Sequence, residues 1–415
     1  MDVTVFCGID WAEDHQDVAL VDEAGILLAK RRISDDADGY RLLLDLLNEY
    51  GAPPEAPTPV AIETSRGLLV AVLRTGLRPI YAINPLAAAC YRDRHGVSRK
   101  KSEPGDALVL AHILRTDMHA HRPLPADSDQ VRAIAVLARA QQDAVWNRQQ
   151  LVNQVRSLLR EYYPAALDAF LGKQHGLARP EARAVLATVP TPARAARLSL
   201  TQLKSALKCA GRQRGIDAEA ERLRESFRRD RARQPAAIEK AVSNQLAVLI
   251  SQLDAACVAA DELAEVVETH FRQHPDAEIL VSFPGLGGQL GAWVLAEIGD
   301  GRVRLADARF LKAYSGSMPV TRASGKKRYV GRRYIKNNRL IDAGFLWALS
   351  AMRVSPGANA HYKRRRERGD WHAGAQRHLF NRMIGQLYHC LQTRQLFDEQ
   401  HAFTSSPSVA PAKTA

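Results

Sequence analysis

Four carboxylates stand where this chain could gather them. Asp10 ends the run VTVFCGID and Glu63 ends the run VAIE, while Glu103 and Asp106 sit three apart at the start of the helical stretch EPGDALVLAHILR. Two strand ends and one helix face could present their oxygens to two magnesium ions, with manganese as the alternative. A pair of such ions about 4 Å apart stabilises both the attacking and the leaving oxygen in phosphodiester transfer. Each residue taken singly has a plainer use, as a turn residue, a strand-end charge or acids favoured at a helix N-terminus. Ser324, in TRASGKK, is a different kind of candidate. A serine hydroxyl is a weak nucleophile and needs a base, a metal or strong positive potential. Residues 320–339 carry Arg322, Lys326, Lys327, Arg328, Arg332, Arg333, Lys336 and Arg339 and no acidic side chain. That field would clamp a phosphate and stabilise charge developing on it. By residue type alone, Ser324-Gly325 reads as a turn pair.

A second basic run, Lys363, Arg364, Arg365 and Arg366, lies between Tyr362 and Trp371. Cations there would contact phosphates and the rings would stack on splayed bases, against the plainer reading of a solvated helix face. The arginines of the 222–233 segment alternate with acids and read as a solvated helix. Ser315 and Ser317 rank below Ser324, and the histidines lack metal-ligand spacing.

The elements that must position these groups fall into three parts. Residues 1–125 alternate strand and helix patterns in the order β-β-β-α-β-α-β, which predicts a mixed α/β sheet with helices packed on it. Residues 126–276 are helical. Val131, Ile134, Ala138, Gln141, Val145, Arg148, Val152, Val155, Leu159 and Tyr162 repeat in steps of three and four, as do Val242, Leu246, Leu249, Leu253, Ala256, Ala260, Leu263 and Val267. Such seams pair two long helices as a coiled coil. Residues 277–402 are mainly helical and open with a helix, a PGLGG turn and a second helix, a helix-hairpin-helix pattern suited to phosphate. Residues 403–415 are low in complexity and are expected to be a disordered tail.

With 415 residues, 46% hydrophobic and 25% charged, the chain is not a wholly disordered one. No apolar run approaches the roughly 18–20 residues a membrane helix needs. The N-terminus carries an acid where a secretory signal would carry positive charge, so export is not expected. Five scattered cysteines without a CxxC pair point to neither a zinc site nor a disulfide framework, and to the cytosol. Formal net charge is +13, distributed as −4, +4 and +13 over residues 1–125, 126–276 and 277–415. The last third alone carries the footprint of a polyanion partner.

The order GID, AIE, KSEPGDA resembles the DEDD motif of the insertion-sequence family 110 transposases, relatives of the Piv-type DNA invertases. The stretches FPGLGGQLGAWVLAEIGD and RFLKAYSGSMPVTRASGKKRYVGRRYIKNNRL resemble that family's second domain. The resemblance implies a RuvC-like, ribonuclease H-like N-terminal domain in which Asp10, Glu63, Glu103 and Asp106 hold metal. Glu103 stands where the family usually has Asp, keeping the charge and adding a methylene. It also implies that Ser324 is the nucleophile that becomes joined to DNA, that a structured non-coding RNA guides the enzyme, and that subunits assemble as dimers or tetramers. DNA, at element ends and target, would be the substrate, in the bacterial cytoplasm at the nucleoid. Two other readings stay open on the residues alone: a RuvC-like magnesium-dependent junction nuclease in which water attacks, and a non-catalytic nucleic-acid-binding scaffold.

Overall fold

The computed structural model describes residues 4–51, 57–76, 78–95, 103–172, 176–302, 305–325 and 327–403. The chain divides into two compact units, Met1–Ala126 and Asp127–Ala415.

In the first unit, alternating apolar residues form β1 (Phe6–Trp11), β2 (His15–Val21) and β3 (Leu27–Ser34), followed by α1 (Ala37–Glu49), β4 (Val60–Ile62), α2 (Leu68–Thr75), β5 (Ile80–Ala82), α3 (Pro85–His95) and α4 (Glu103–Asp117). Asp36 caps α1 by accepting from the Gly39 N–H at 2.8 Å. The strand order is β3-β2-β1-β4-β5. The first three strands pair antiparallel, whereas β1, β4 and β5 run parallel. This is the mixed sheet that the sequence predicts.

Side-chain alternation divides the sheet into two faces. Cys7, Ile9, Val18, Leu20, Val60, Ile62 and Ile80 share one core with Leu43, Leu46 and Leu47 of α1 and Leu69, Val70 and Leu73 of α2. Phe6, Val21, Ala61 and Tyr81 share the other with Leu110, Ala111, Ile113 and Leu114 of α4. The result is three layers, with β1 central and covered on both sides.

The second unit is helical apart from one two-stranded ribbon. Helix α5 (Asp129–Tyr162) is followed by the short helices α6 (Pro164–Phe170), α7 (Pro180–Thr188), α8 (Pro192–Ala196), α9 (Leu200–Cys209) and α10 (Ile216–Arg228). Then come α11 (Ala236–Arg272), α12 (Ala277–Ser282), α13 (Gly288–Ile298), α14 (Ala308–Tyr314), β6 (Val320–Ser324) and β7 (Lys327–Gly331), and last α15 (Asn338–Val354), α16 (Pro356–Glu367), α17 (His372–Thr393) and α18 (Glu399–Phe403). Helices α5 and α11 form an antiparallel pair. Val131, Ile134 and Ala138 share a core with Val267 and Phe271, and Leu151, Val155 and Leu158 share another with Leu246, Ile250 and Leu253.

The seam departs locally from the repeat predicted for it: Ile250 is buried where the repeat marks Leu249. Gln141 stays at its seam position by accepting a 2.6 Å hydrogen bond from the Trp293 indole, and Arg148 reaches Asp261 at 3.3 Å. The PGLGG turn does join two helices. A β-carbon at Gly285, whose φ is +77°, would fall 2.5 Å from the Ala351 amide nitrogen, so the turn is pressed onto α15. One expectation needs correcting: the tail does not begin at Phe403, which closes α18 and places its ring 6.4 Å from both Phe397 and His361. Residues 404–415 lie outside the described residues.

Candidate functional site

Register brings Asp10 and Glu63 to the same end of neighbouring strands, and α4, which carries Asp106, packs on that sheet. In the parallel pair β1/β4, Ile9 is opposite Ile62. Asp10 and Glu63 are therefore the next residues on neighbouring strands, which lie about 4.8 Å apart. Asp10, within β1, shares with Gly8 the face that α4 covers, and Glu63 is the first residue past the end of β4. Gly8 makes that packing close, because a β-carbon there would overlap the Ala107 carbonyl and the Ala111 amide of α4. Asp106 immediately precedes Ala107, so a glycine in β1 holds the helix start, with its carboxylate, against the strand that carries Asp10.

The surroundings of these carboxylates are strongly paired. Asp106 is buried, and the guanidinium of Arg92, from α3, lies 2.6 Å from its Oδ1. Asp10 stands directly across β1/β2 from Asp17, a juxtaposition of like charges that costs stability unless countered. Arg32 on β3 counters it by donating Nε and Nη2 to the two Asp17 oxygens at 3.2 and 2.8 Å. The side chain of Glu103 lies outside the described residues. Among the described residues, no three acidic, histidine or cysteine side chains converge closely enough to hold a metal ion. The donor set itself, all carboxylate oxygen, is that of a hard divalent cation. Arg92 occupies one oxygen that such an ion would need.

Ser324 lies in the second unit, as the last residue of β6. It pairs with Lys327, and Gly325 between them takes φ +55°, the left-handed conformation that a two-residue hairpin turn requires. From Thr321 to Val330 every described residue is exposed. The hydroxyl thus stands at the tip of a ribbon that carries Arg322, Lys327 and Arg328 and no acid. Ser315 and Ser317 are different: both are fully buried and bonded to each other, to the Lys312 carbonyl and, from Ser317, to Asn381. They are packing residues.

The root of the ribbon is fixed by a polar network. Buried Glu297 accepts from Arg139 at 2.7 Å and from Asn337 at 2.6 Å. The Asn337 amide also meets the Tyr314 hydroxyl at 2.7 Å, and its carbonyl caps α15 through the Leu340 N–H.

Not every basic residue of the predicted clamp faces outward. Arg339 donates to both oxygens of Asp143 at 2.8 and 2.9 Å and to Gln142 at 3.0 Å, and its guanidinium lies 5.0 Å from the Trp146 ring centroid. It fastens α15 to α5 and is not available as a phosphate contact. Arg365 is similarly engaged, with Asp370 and His378. Lys363, Arg364 and Arg366 are exposed, Arg333 and Lys336 are half-buried, and Lys326 lies outside the described residues. Arg92, Arg32 and Gly8 carry no sequence pattern that assigns them to the site, although a glycine inside a strand does signal a close backbone approach.

A mixed sheet covered by helices, with acidic residues at its strand ends, and a basic helical unit bearing an exposed cationic ribbon suit an enzyme that works on nucleic acid. Residues 7–164 match the family model described as Transposase, of the DEDD kind, and residues 277–363 match the Transposase IS116/IS110/IS902 family model. The chain belongs to the IS110 family of transposases and is an enzyme that cleaves and recombines DNA. It is 69% identical over 401 residues, 97% of either chain, to the "Mini-circle putative transposase for IS117" of Streptomyces coelicolor. It is 30% identical to the insertion element IS900 uncharacterized 42 kDa protein of Mycobacterium paratuberculosis, over 95% of this chain and 97% of that one. To the insertion element IS116 uncharacterized 44.8 kDa protein of Streptomyces clavuligerus it is 27% identical, over 95% and 96% of the two chains. Membership assigns the ribonuclease H-like fold to the first unit. No described helix is long and apolar enough to cross a membrane.

Proposed function

We propose that this transposase breaks and rejoins DNA through Ser324, in a reaction that also requires the carboxylates Asp10, Glu63, Glu103 and Asp106. The observation that carries the reading is the position of Ser324, exposed at the turn of a ribbon whose described charges are all positive. The Ser324 Oγ forms a bond to phosphorus as one bridging P–O bond breaks. The proton leaves Oγ, and the departing sugar oxygen takes one up. A sugar hydroxyl then attacks the phosphoserine and releases the serine, so the phosphodiester energy is kept without water. Arg322 and Lys327, on the Ser324 face of the ribbon, hold the phosphate and offset its growing charge, and Arg328 adds to the positive field.

All-carboxylate donors suit a hard divalent cation, which Asp10, Glu63, Glu103 and Asp106 would hold once Asp106 exchanged Arg92 for the ion. Magnesium there would supply Lewis-acid stabilisation to phosphodiester oxygens. The three-part division of the chain at 125/126 and 276/277 follows this labour: metal, assembly as a dimer or tetramer along the coiled-coil pair, and phosphate. The exposed Gly287 of the PGLGG turn and Gln289 at the start of α13 add a lesser phosphate contact, as in a helix-hairpin-helix. A structured non-coding RNA selects the target, and the enzyme works in the bacterial cytoplasm, at the nucleoid.

Ser324→Ala separates this from hydrolysis by water. The expected result is loss of recombination and of any covalent protein–DNA joint, whereas recombination at the parent level would overturn the serine role. Asp10→Ala should also abolish recombination, and full activity there would point to a scaffold. For the guide, nucleic acid that co-purifies with active protein should resist DNase and yield to RNase.

A further inference from the structure

The ribbon carries more than a hydroxyl and cations. Pairing of Arg322 with Tyr329 and of Ser324 with Lys327 puts Arg322, Ser324, Lys327, Tyr329 and Gly331 on one face. Thr321, Ala323, Arg328 and Val330 make the other. Tyr329 is 66% exposed, yet its ring is not loose. A β-carbon at Gly331 would fall 2.5 Å from the Tyr329 Cε1 and 3.0 Å from its hydroxyl oxygen. The ring therefore lies over the bare backbone of Gly331, two residues along the same face. Gly331 does not take a left-handed conformation, so the backbone does not demand glycine there; the ring does. Tyr334, also exposed, differs because the Arg332 guanidinium covers it at 4.6 Å. Among the described residues, no ring, cation or hydrogen-bond partner covers Tyr329.

A two-stranded ribbon with both faces bare is marginally stable in water, and exposing an aromatic ring is unfavourable unless something comes to cover it. The charge around it selects the occupant, a polyanion. A flat ring fixed at its back and open at its front suits an unpaired base, since every base has a π-face.

We propose that Tyr329, braced by Gly331, is a stacking platform for an unpaired base of the DNA strand whose phosphate Ser324 attacks. This rests on the Ser324 reading. Tyr329 lies diagonally across from Ser324, roughly 7–8 Å away by strand geometry, so the base held is a near neighbour of the attacked phosphate. Arg322 and Lys327, on the same face, grip the intervening backbone.

The test uses the full chain and a single-stranded thymidine oligonucleotide carrying one 5-iododeoxyuridine, cross-linked by ultraviolet light and mapped by mass spectrometry. The cross-link should fall on Tyr329. Tyr329→Ala should remove it and weaken oligonucleotide binding about tenfold, and Tyr329→Phe should keep binding near the parent level. Gly331→Val, which expels the ring without deleting it, should also lower the cross-link yield several-fold. Cross-links confined to other residues, or unchanged binding by Tyr329→Ala, would overturn the platform. Tighter capture of the matching oligoribonucleotide would overturn the choice of DNA. In the Ser324→Ala chain the Tyr329 cross-link should persist while the covalent joint is lost. A joint that survives Ser324→Ala defeats the serine reading and leaves the cross-link result to be judged by itself.

Discussion

The Arg92 guanidinium and the Asp106 carboxylate meet at 2.6 Å, and with Asp106 almost wholly buried the arginine acts as its counter-ion. An arginine and a divalent cation compete for the same oxygen. Arg92→Ala leaves a buried carboxylate without its partner, so it should destabilise the protein by about 3 kcal/mol. Magnesium should recover much of that loss, because a ligand that binds only the folded state stabilises it in proportion to ln(1 + [L]/Kd). Thermal melts with and without magnesium check this: the rise should be larger in Arg92→Ala than in the parent. Equal, magnesium-independent melting in both would remove metal from the role of these carboxylates.

Gly8 sets how near α4 comes to β1. Gly8→Ala introduces a carbon where the Ala107 carbonyl and Ala111 amide already lie, and backbone cannot step aside as a flexible side chain can. The cost should be about 1–3 kcal/mol, as for other overpacked sites. Recombination should fall further than stability explains, because the helix start carrying Asp106 moves away from Asp10. Measured at a temperature where both proteins are fully folded, equal recombination rates would show that this spacing is unimportant.

His361 faces Arg382, Arg364, Arg365 and His378. Burial first, and then these cations, push its pKa down to about 4. In the unfolded chain a histidine titrates near 6.5, so between about pH 6.5 and 4 the unfolded state binds the extra proton. Stability should therefore fall as pH drops through that window, whose upper part lies above the range where ordinary carboxylates titrate. His361→Gln should flatten this part of the melting-temperature profile, and parallel profiles for the two proteins would contradict it.

Much of the first unit was legible because its strands are short apolar runs between turn residues, and alternation alone shows that Gly8 and Asp10 share a face. What could not be read was register. That Ile9 meets Ile62, one residue before Asp10 and Glu63, depends on how a long connection closes, which no local pattern encodes. Arg92 was invisible for a related reason. It sits in α3 in the run YRDRH, and only the folding of that helix beside α4 gives it Asp106. Arg322, Lys327 and Arg328 are exposed, as a phosphate contact must be, because a hairpin exposes everything on it. Arg339 from the same run is not, because α15 begins at Asn338 and the helix turns that side chain back towards Asp143. In α5 the predicted position Gln141 is buried, its polar side chain offset by a specific donor, Trp293, whereas Leu151 is buried where the repeat marks Val152.

The antiparallel pair α5/α11 has a mechanical meaning. At 1.5 Å per residue, the 34 residues of α5 make a rod about 50 Å long. Its first turns are embedded in the core that also holds Trp293, Trp347 and Phe380, and its last turns in the core built from Phe170, Leu203 and Phe227. A rod clamped at both ends, and splinted along its length by a second one, converts a small tilt at one end into a displacement at the other. The same rod carries Arg139, whose contact with Glu297 leads through Asn337 to the root of the ribbon that presents Ser324.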